Sequence, residues 1–193
     1  ERLFTYLHNN EFKELHEQNT TAVSFRHFAF FEAYFSNYIE GTMFEVSEAK
    51  NIIDTGIPMR ARSSDSHDIL GTYKIVSNKN EMQKIPTDGN SFLDLLQLRH
   101  KTLMAARIDK TPGQFKEKNN RAGDTHFVDF KLVRGTLLRG FEYYKVLASP
   151  FARAAYIMFL VSEIHPFNDG NGRIARVMMN AELVHEQQSK III

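Results

Sequence analysis

Apolar positions recur at helical spacing along most of this chain. Near the start, Leu3, Phe4 and Leu7 and then Phe12 and Leu15 predict one or two short helices over residues 1–18, with a break at Asn9-Asn10. Between about residues 22 and 41 the pattern is denser. Phe25, Phe28, Phe31, Phe35 and Tyr38, with Ala33, Tyr34 and Ile39, cover more than one face of a helix, which predicts burial on several sides. Gly41 is placed to end that helix. A short helix is expected over 46–54, capped by Ser47, and another over 66–78 despite Gly71. A clearer one runs from Ser91 to Arg107, capped by Asn90 or Ser91 and striped by Phe92, Leu93, Leu95, Leu96 and Leu103. Residues 109–130 interrupt the periodicity with polar and turn-forming types. Within them, residues 125–128 read as the edge of a short hairpin that turns at 122–124. Helical spacing returns over 132–147. Ser149 then caps, and Pro150 opens, a segment apolar nearly all round as far as Ile164, which belongs at the centre of a core. A last helix over 172–188 turns Ile174, Val177, Met178, Ala181 and Val184 inward.

The sum is an all-α fold, a helical bundle with one small β-hairpin. A chain of 193 residues can bury one substantial core. Composition adds mainly exclusions. With no cysteine there is no disulfide framework, thiolate nucleophile or thiolate metal site. A net charge of +1 speaks against nucleic acid as the main partner. No apolar run is long enough for a membrane helix, and the start does not resemble a signal peptide, so a cytoplasmic location is expected. The opening at Glu1 and the apolar ending "KIII" suggest a fragment of a longer chain whose last residues pack against something.

The candidate chemistry is concentrated in "HPFNDGNGR", residues 165–173. Its "NDGNG" resembles the middle of a calcium-binding loop. Aligning Gly170 with the invariant glycine of such a loop puts His165, Phe167 and Arg176 where oxygen ligands are required, which excludes that reading. A plain helix–helix turn would explain Asp169, Gly170 and Asn171, but not the flanking His165 and Arg173. A glycine-rich loop that opens a helix is also an anion site. Its first N–H groups lack partners, and Gly170 and Gly172 let a bulky anion approach the backbone. Arg173 and Arg176 share a face near the positive end of that helix and carry donor forks suited to phosphate. Asp169 is a hard oxygen ligand of the kind Mg²⁺ accepts beside nucleotide phosphates, and His165 has the natural pKa of a general base. Phe167 reads as the apolar anchor of the loop.

The run "HPFNDGNGRIAR", residues 165–176, resembles the signature of Fic domains, H-P-F-x-[D/E]-G-N-G-R-x-x-R, at every fixed position. The resemblance extends from about residue 90 to the end and implies a Fic-type helical bundle with a β-hairpin flap. It implies that His165 is the general base on a target hydroxyl and that Asp169 holds Mg²⁺ against the α- and β-phosphates of ATP. Gly170, Asn171, Gly172 and Arg173 would cradle the phosphates, and Arg176 would meet the γ-phosphate. The implied activity is a protein adenylyltransferase, moving AMP from ATP to a Ser, Thr or Tyr hydroxyl of a target protein. Upstream, "SNYIEG" fits the inhibitory-helix pattern [S/T]-x-x-x-E-[G/N] of Fic proteins with an N-terminal-side inhibitor. On that basis Ser36, Glu40 and Gly41 are inhibitory, with Glu40 pairing with Arg176. A glutamate in the last turn of a helix opposes the helix dipole and gains from a cation that meets it. Residues 1–89 are then the segment carrying the inhibitory helix (about 22–41), and 90–193 the catalytic core. Thr125, His126, Phe127 and Val128 are the candidate flap that would align the target segment by main-chain pairing. Asp129-Phe130 stand where many relatives have prolines.

Four rivals remain, one of them a DNA-binding regulator, since relatives often carry a winged helix after the Fic core, a part this segment is too short to show. Phosphate transfer, as in the death-on-curing toxins, is disfavoured because those replace the second loop glycine with lysine, and here it is Gly172. Removal of AMP from modified targets is open. A Fic-fold binding or regulatory module without transferase activity is disfavoured because a scaffold needs neither His165 nor Asp169. The partners implied are a target protein with a modifiable hydroxyl and a possible second copy of the chain, with no membrane and no nucleic acid bound by this segment. Arg99 and His100 are read as core-edge packing without a functional role, and the remaining histidines as surface or satisfied interior residues.

Overall fold

The computed structural model describes residues 1–193. Nine α-helices pack around one large core and two small satellite clusters: α1 (Arg2–Asn9), α2 (Ala22–Ile39), α3 (Val46–Thr55), α4 (Ser63–Val76), α5 (Lys79–Met82), α6 (Gly89–Leu103), α7 (Val133–Tyr144), α8 (Pro150–Ile164) and α9 (Asn171–His185). A two-residue antiparallel hairpin, β1 (Arg121–Ala122) with β2 (Thr125–His126), stands between α6 and α7 and pairs Ala122 with Thr125. None of the helices is long and apolar enough to cross a membrane.

The core runs from Leu7 on α1 through Ala29 and Ala33 on α2, Ile75 and Val76 on α4 and Phe92 and Leu96 on α6, to Ile157, Ile174 and Val177 on α8 and α9. Segments on both sides of residue 89 therefore build the same apolar interior. The helices α8 and α9 make the most extensive pairing in the fold. α8 is the apolar segment expected at the centre, with the Ser149 hydroxyl accepting from the Ala152 N–H and Pro150 in its first turn. The loop joining α8 to α9 is thus held by the two best-packed helices.

Several local expectations need correction. No second helix forms after α1. The chain from residue 11 to 21 runs extended, and His16 bridges Gln188 while Lys190 pairs with Glu17. These long-range partners override the helical spacing of Phe12 and Leu15. Glu45, rather than Ser47, opens α3 through a reciprocal capping box with Glu48. Asp88, rather than Asn90 or Ser91, caps α6, with Ser91 returning the second bond of that box. In both cases a carboxylate two or three residues upstream makes the stronger acceptor for the free N–H groups. At the end of the chain Ile191 bonds Asn180 and packs on Met179 and Leu183, whereas Ile192 and Ile193 are exposed.

Candidate functional site

The loop 165–170 is built from its apolar anchor outward. Phe167 is fully buried and lies flat on the His100 ring, with centroids 3.7 Å apart. His100, read from the sequence as core-edge packing without a functional role, joins three segments. Its Nδ1 accepts from the Gly113 N–H at 2.9 Å, which leaves the proton on Nε2 to donate to the Asp169 carbonyl at 3.0 Å. Burial pushes its pKa down to about 4, so the ring stays neutral and keeps this tautomer. Asn171 clips the loop from the other side. Its Oδ1 accepts from the Phe167 N–H and its Nδ2 donates to the Phe167 carbonyl, each at 2.9 Å. The Asn171 side chain is therefore committed to the loop backbone, which leaves its main-chain N–H to face a ligand. Asn120 and the buried Lys116 support the same loop from the polar stretch before the hairpin. Asn120 Nδ2 donates to the Phe167 carbonyl at 3.0 Å, and the Lys116 N–H to the Pro166 carbonyl at 2.8 Å.

His165 ends α8 in a left-handed conformation, φ 49°. Its Nδ1 lies 2.6 Å from the Ser162 carbonyl, so Nδ1 carries the proton and Nε2 presents a lone pair. The ring stacks on Phe127 with centroids 3.5 Å apart. Burial holds its pKa below the ordinary imidazole value, which keeps the base form populated at neutral pH. Of the four expected flap residues, Thr125 and His126 lie in β2, Phe127 turns onto His165, and Val128 packs against the core.

The start of α9 has no side-chain cap. Gly170 precedes it at φ 73°, and the N–H groups of Asn171, Gly172 and Arg173 have no acceptor elsewhere in the chain. The Glu40 carboxylate, at the end of α2, stands beside Gly172 without a hydrogen bond to any of these N–H groups. A Cβ on Gly172 would lie 2.2 Å from Glu40 Oε1, so only a glycine admits the carboxylate this close. Glu40 Oε1 also accepts from Arg176 Nη2 at 2.6 Å. Arg176 is held further by Ser36, whose Oγ accepts from Nε at 2.8 Å and whose carbonyl accepts from Nη2 at 2.9 Å. Gly41 follows at φ 92° and turns the chain away. One turn deeper on α2, Glu32 is buried with Oε1 unpartnered, and burial raises its pKa to about 7.

These groups line a cleft of about 150 Å³ that includes Glu40, Asn120, Phe127, His165, Asp169 and Gly172. Asp169 presents a half-exposed carboxylate to it, with Oδ1 accepting from the Gly170 N–H at 2.6 Å. Neither arginine of α9 lines the cleft: Glu40 stands in front of Arg176, and Arg173 is buried behind the loop. No cluster of three metal-binding side chains exists. A single carboxylate beside phosphate oxygens is nevertheless an ordinary donor set for Mg²⁺.

The Fic/DOC family pattern matches residues 91–183, the segment that contains the loop and all of α9. The chain carries a Fic/DOC domain. Curated relatives agree along a greater length. The chain is 27% identical over 188 residues to the protein adenylyltransferase Fic of Drosophila willistoni, covering 93% of itself and 37% of that protein. It is 28% identical over 167 residues to the Culex quinquefasciatus protein of the same name, covering 83% and 33%. It therefore spans little more than a third of the curated relatives it matches. Among solved structures, Fic-1 from C. elegans superposes with a TM-score of 0.73 at 19% identity over 99% of this chain and 57% of that one. A Fic domain containing signaling protein from Bacteroides thetaiotaomicron gives 0.70 at 17% identity over 100% and 73%. These structures place α1 to α5, as well as the Fic domain itself, within the shared fold.

Proposed function

We propose that this chain is a protein adenylyltransferase restrained by its own α2. The observation that carries the reading is the Glu40 carboxylate seated against Gly172 and Arg176, at a helix start whose N–H groups suit an anion of greater charge. ATP would lay its phosphates along the loop from Gly170 to Arg173, against the free N–H groups of Asn171, Gly172 and Arg173, with Arg176 at the γ-phosphate. Asp169 would hold Mg²⁺, which supplies charge neutralisation for the phosphates when bound. The free Nε2 of His165 would take the proton of a target Ser, Thr or Tyr hydroxyl as its oxygen attacks the α-phosphorus. The bond from that phosphorus to the β-phosphate oxygen breaks, AMP stays on the target, and pyrophosphate leaves. Positioning and charge complementarity would supply most of the acceleration. The hairpin beside Phe127 would align the target segment.

Glu40 would restrain the reaction by occupying the anion position and neutralising Arg176. The partners that follow are a hydroxyl-bearing protein segment and a signal that lifts Glu40. The test is incubation with Mg²⁺ and α-labelled ATP. Glu40→Gly should label itself or a lysate protein strongly, the parent weakly, and His165→Ala in either background at least about a hundredfold less, the scale of a lost general base. Binding of ATP without any labelling would reject AMP addition and leave AMP removal from a modified target to be assayed.

A further inference from the structure

Arg173 is almost wholly buried; within residues 91–183 its guanidinium meets Asp169 and, through Nη2, Met104 Sδ at 3.4 Å, but two of its polar partners come from outside that segment. Asp68 on α4 places Oδ2 3.4 Å from Nη1, and Asn37 on α2 places Oδ1 3.3 Å from the same nitrogen. Asp169 Oδ1 lies 3.6 Å from Nη2, and Nε has no acceptor in the chain. Asp68 is itself buried at 4% exposure and fixed from the far side by Arg107, whose Nε donates to Oδ1 at 3.0 Å and whose Nη2 reaches Oδ2. Thr72 closes the ring, donating to the Asp68 carbonyl at 2.9 Å and accepting from Asn37 Nδ2 at 3.0 Å. Its backing is rigid, but the contacts Arg173 makes are long, and one N–H is unspent. That is the state of a guanidinium aimed by its surroundings and not yet saturated by them.

We propose that Asp68 is a positioning residue of the nucleotide site, holding the Arg173 guanidinium behind the start of α9 where a phosphate oxygen would complete its bonds. The inference rests on the ATP reading above. Asp68 does two things in this geometry. It fixes the direction of a planar fork that must meet phosphate oxygens. It also draws Arg173 away from Asp169, the only other carboxylate beside it, and so leaves Asp169 to the cation that accompanies the phosphates. Arg107 also pairs with Asp68, so the buried carboxylate keeps a cation partner when Arg173 turns to phosphate. Helix α4 then belongs to the nucleotide machinery although it lies before the matched segment. Asn37 places the helix that carries Glu40 in contact with the same guanidinium.

The test is a double-variant cycle in the Glu40→Gly background, read as ATP affinity by titration calorimetry with Mg²⁺ present. Asp68→Asn should weaken ATP about tenfold, the scale of one charge-assisted contact, and Arg173→Gln at least as much. The double variant should bind no more weakly than Arg173→Gln alone, because Asp68 has nothing left to aim. Losses that simply multiply would overturn the proposal, since a residue supporting the fold in general acts whether or not Arg173 is present. Unchanged affinity in Asp68→Asn would overturn it too. Thermal melts accompany each variant. If Asp68→Asn does not fold, Asp68→Glu enters the same cycle, with an expected loss of about threefold that vanishes beside Arg173→Gln. A loss persisting there rejects the proposal. If Glu40→Gly binds no ATP at all, the nucleotide reading falls first and this inference falls with it.

Discussion

Two helices of 15 residues, α6 and α9, begin in opposite ways. At α6 the chain provides for itself. Asp88 Oδ1 accepts from the Asn90 and Ser91 N–H groups at 2.8 and 2.9 Å, and the Ser91 hydroxyl accepts from the Asp88 N–H at 2.9 Å. Those bonds, the one to Ser91 foremost, hold the Asp88 carboxyl below its ordinary pKa. At α9 the preceding residue is a glycine with no side chain to offer, and the neighbouring Asp169 reaches only the Gly170 N–H. The carboxylate that approaches the remaining donors is Glu40, 136 residues before its partner Arg176. A local cap is permanent because it moves with its helix. A carboxylate carried by another helix and bonded only to Arg176 can leave, and under the proposed restraint an anion-binding end would then be exposed. On the proposed reading the difference separates a helix start that serves folding from one that serves a ligand.

Removing the distant carboxylate should have the largest effect. Glu40→Gly should raise ATP affinity at least tenfold by calorimetry while costing about 1–2 kcal/mol of stability, because Arg176 loses a partly buried partner. Affinity rising without any loss on melting would mean that Glu40 blocks the site without stabilising it. The local cap comes next. Asp88→Ala should cost about 1 kcal/mol in chemical denaturation and leave ATP affinity in the Glu40→Gly background within error. A change in affinity would show that the two helix starts are coupled. The smallest effect concerns pH. In the Glu40→Gly enzyme, AMP transfer should fall on the acid side as His165 gains a proton, with a midpoint below the ordinary 6.5 because burial lowers its pKa. Phe127→Ala uncovers one face of the ring and should move that midpoint upward by at most about one pH unit. A midpoint above 6.5 in the parent profile would contradict the burial argument.

The loop 165–176 and the helix ending at Glu40 were legible in the sequence because each is local: their residues follow one another in a few turns of chain. The pairing of Glu40 with Arg176 was reached through family resemblance and not through spacing, since nothing in a linear pattern brings those positions together. His100, Asn120, Lys116 and Asp68 escaped for the same reason. Each acts on the loop or on Arg173 from 45 to 105 positions away, and each sits in a segment whose pattern reads as ordinary helix or polar turn. The extended stretch after α1 misled in the opposite sense. Phe12 and Leu15 keep helical spacing, but hydrogen bonds from Leu15 and Glu17 to residues 187–189 decide the backbone. The caps of α3 and α6 were misjudged by two or three residues because a carboxylate upstream outcompeted the hydroxyl or amide nearer the apolar pattern.

The order of the two partners along the chain also fixes an order in time. A ribosome adds about 5–20 residues per second, so the 136 residues between Glu40 and Arg176 correspond to roughly ten seconds of synthesis. Throughout that interval α2 and its terminal carboxylate exist and the start of α9 does not. When the last helix emerges and docks, the group that meets it is already waiting. On the proposed reading, a newly made copy would have the anion position filled from the moment α9 docks.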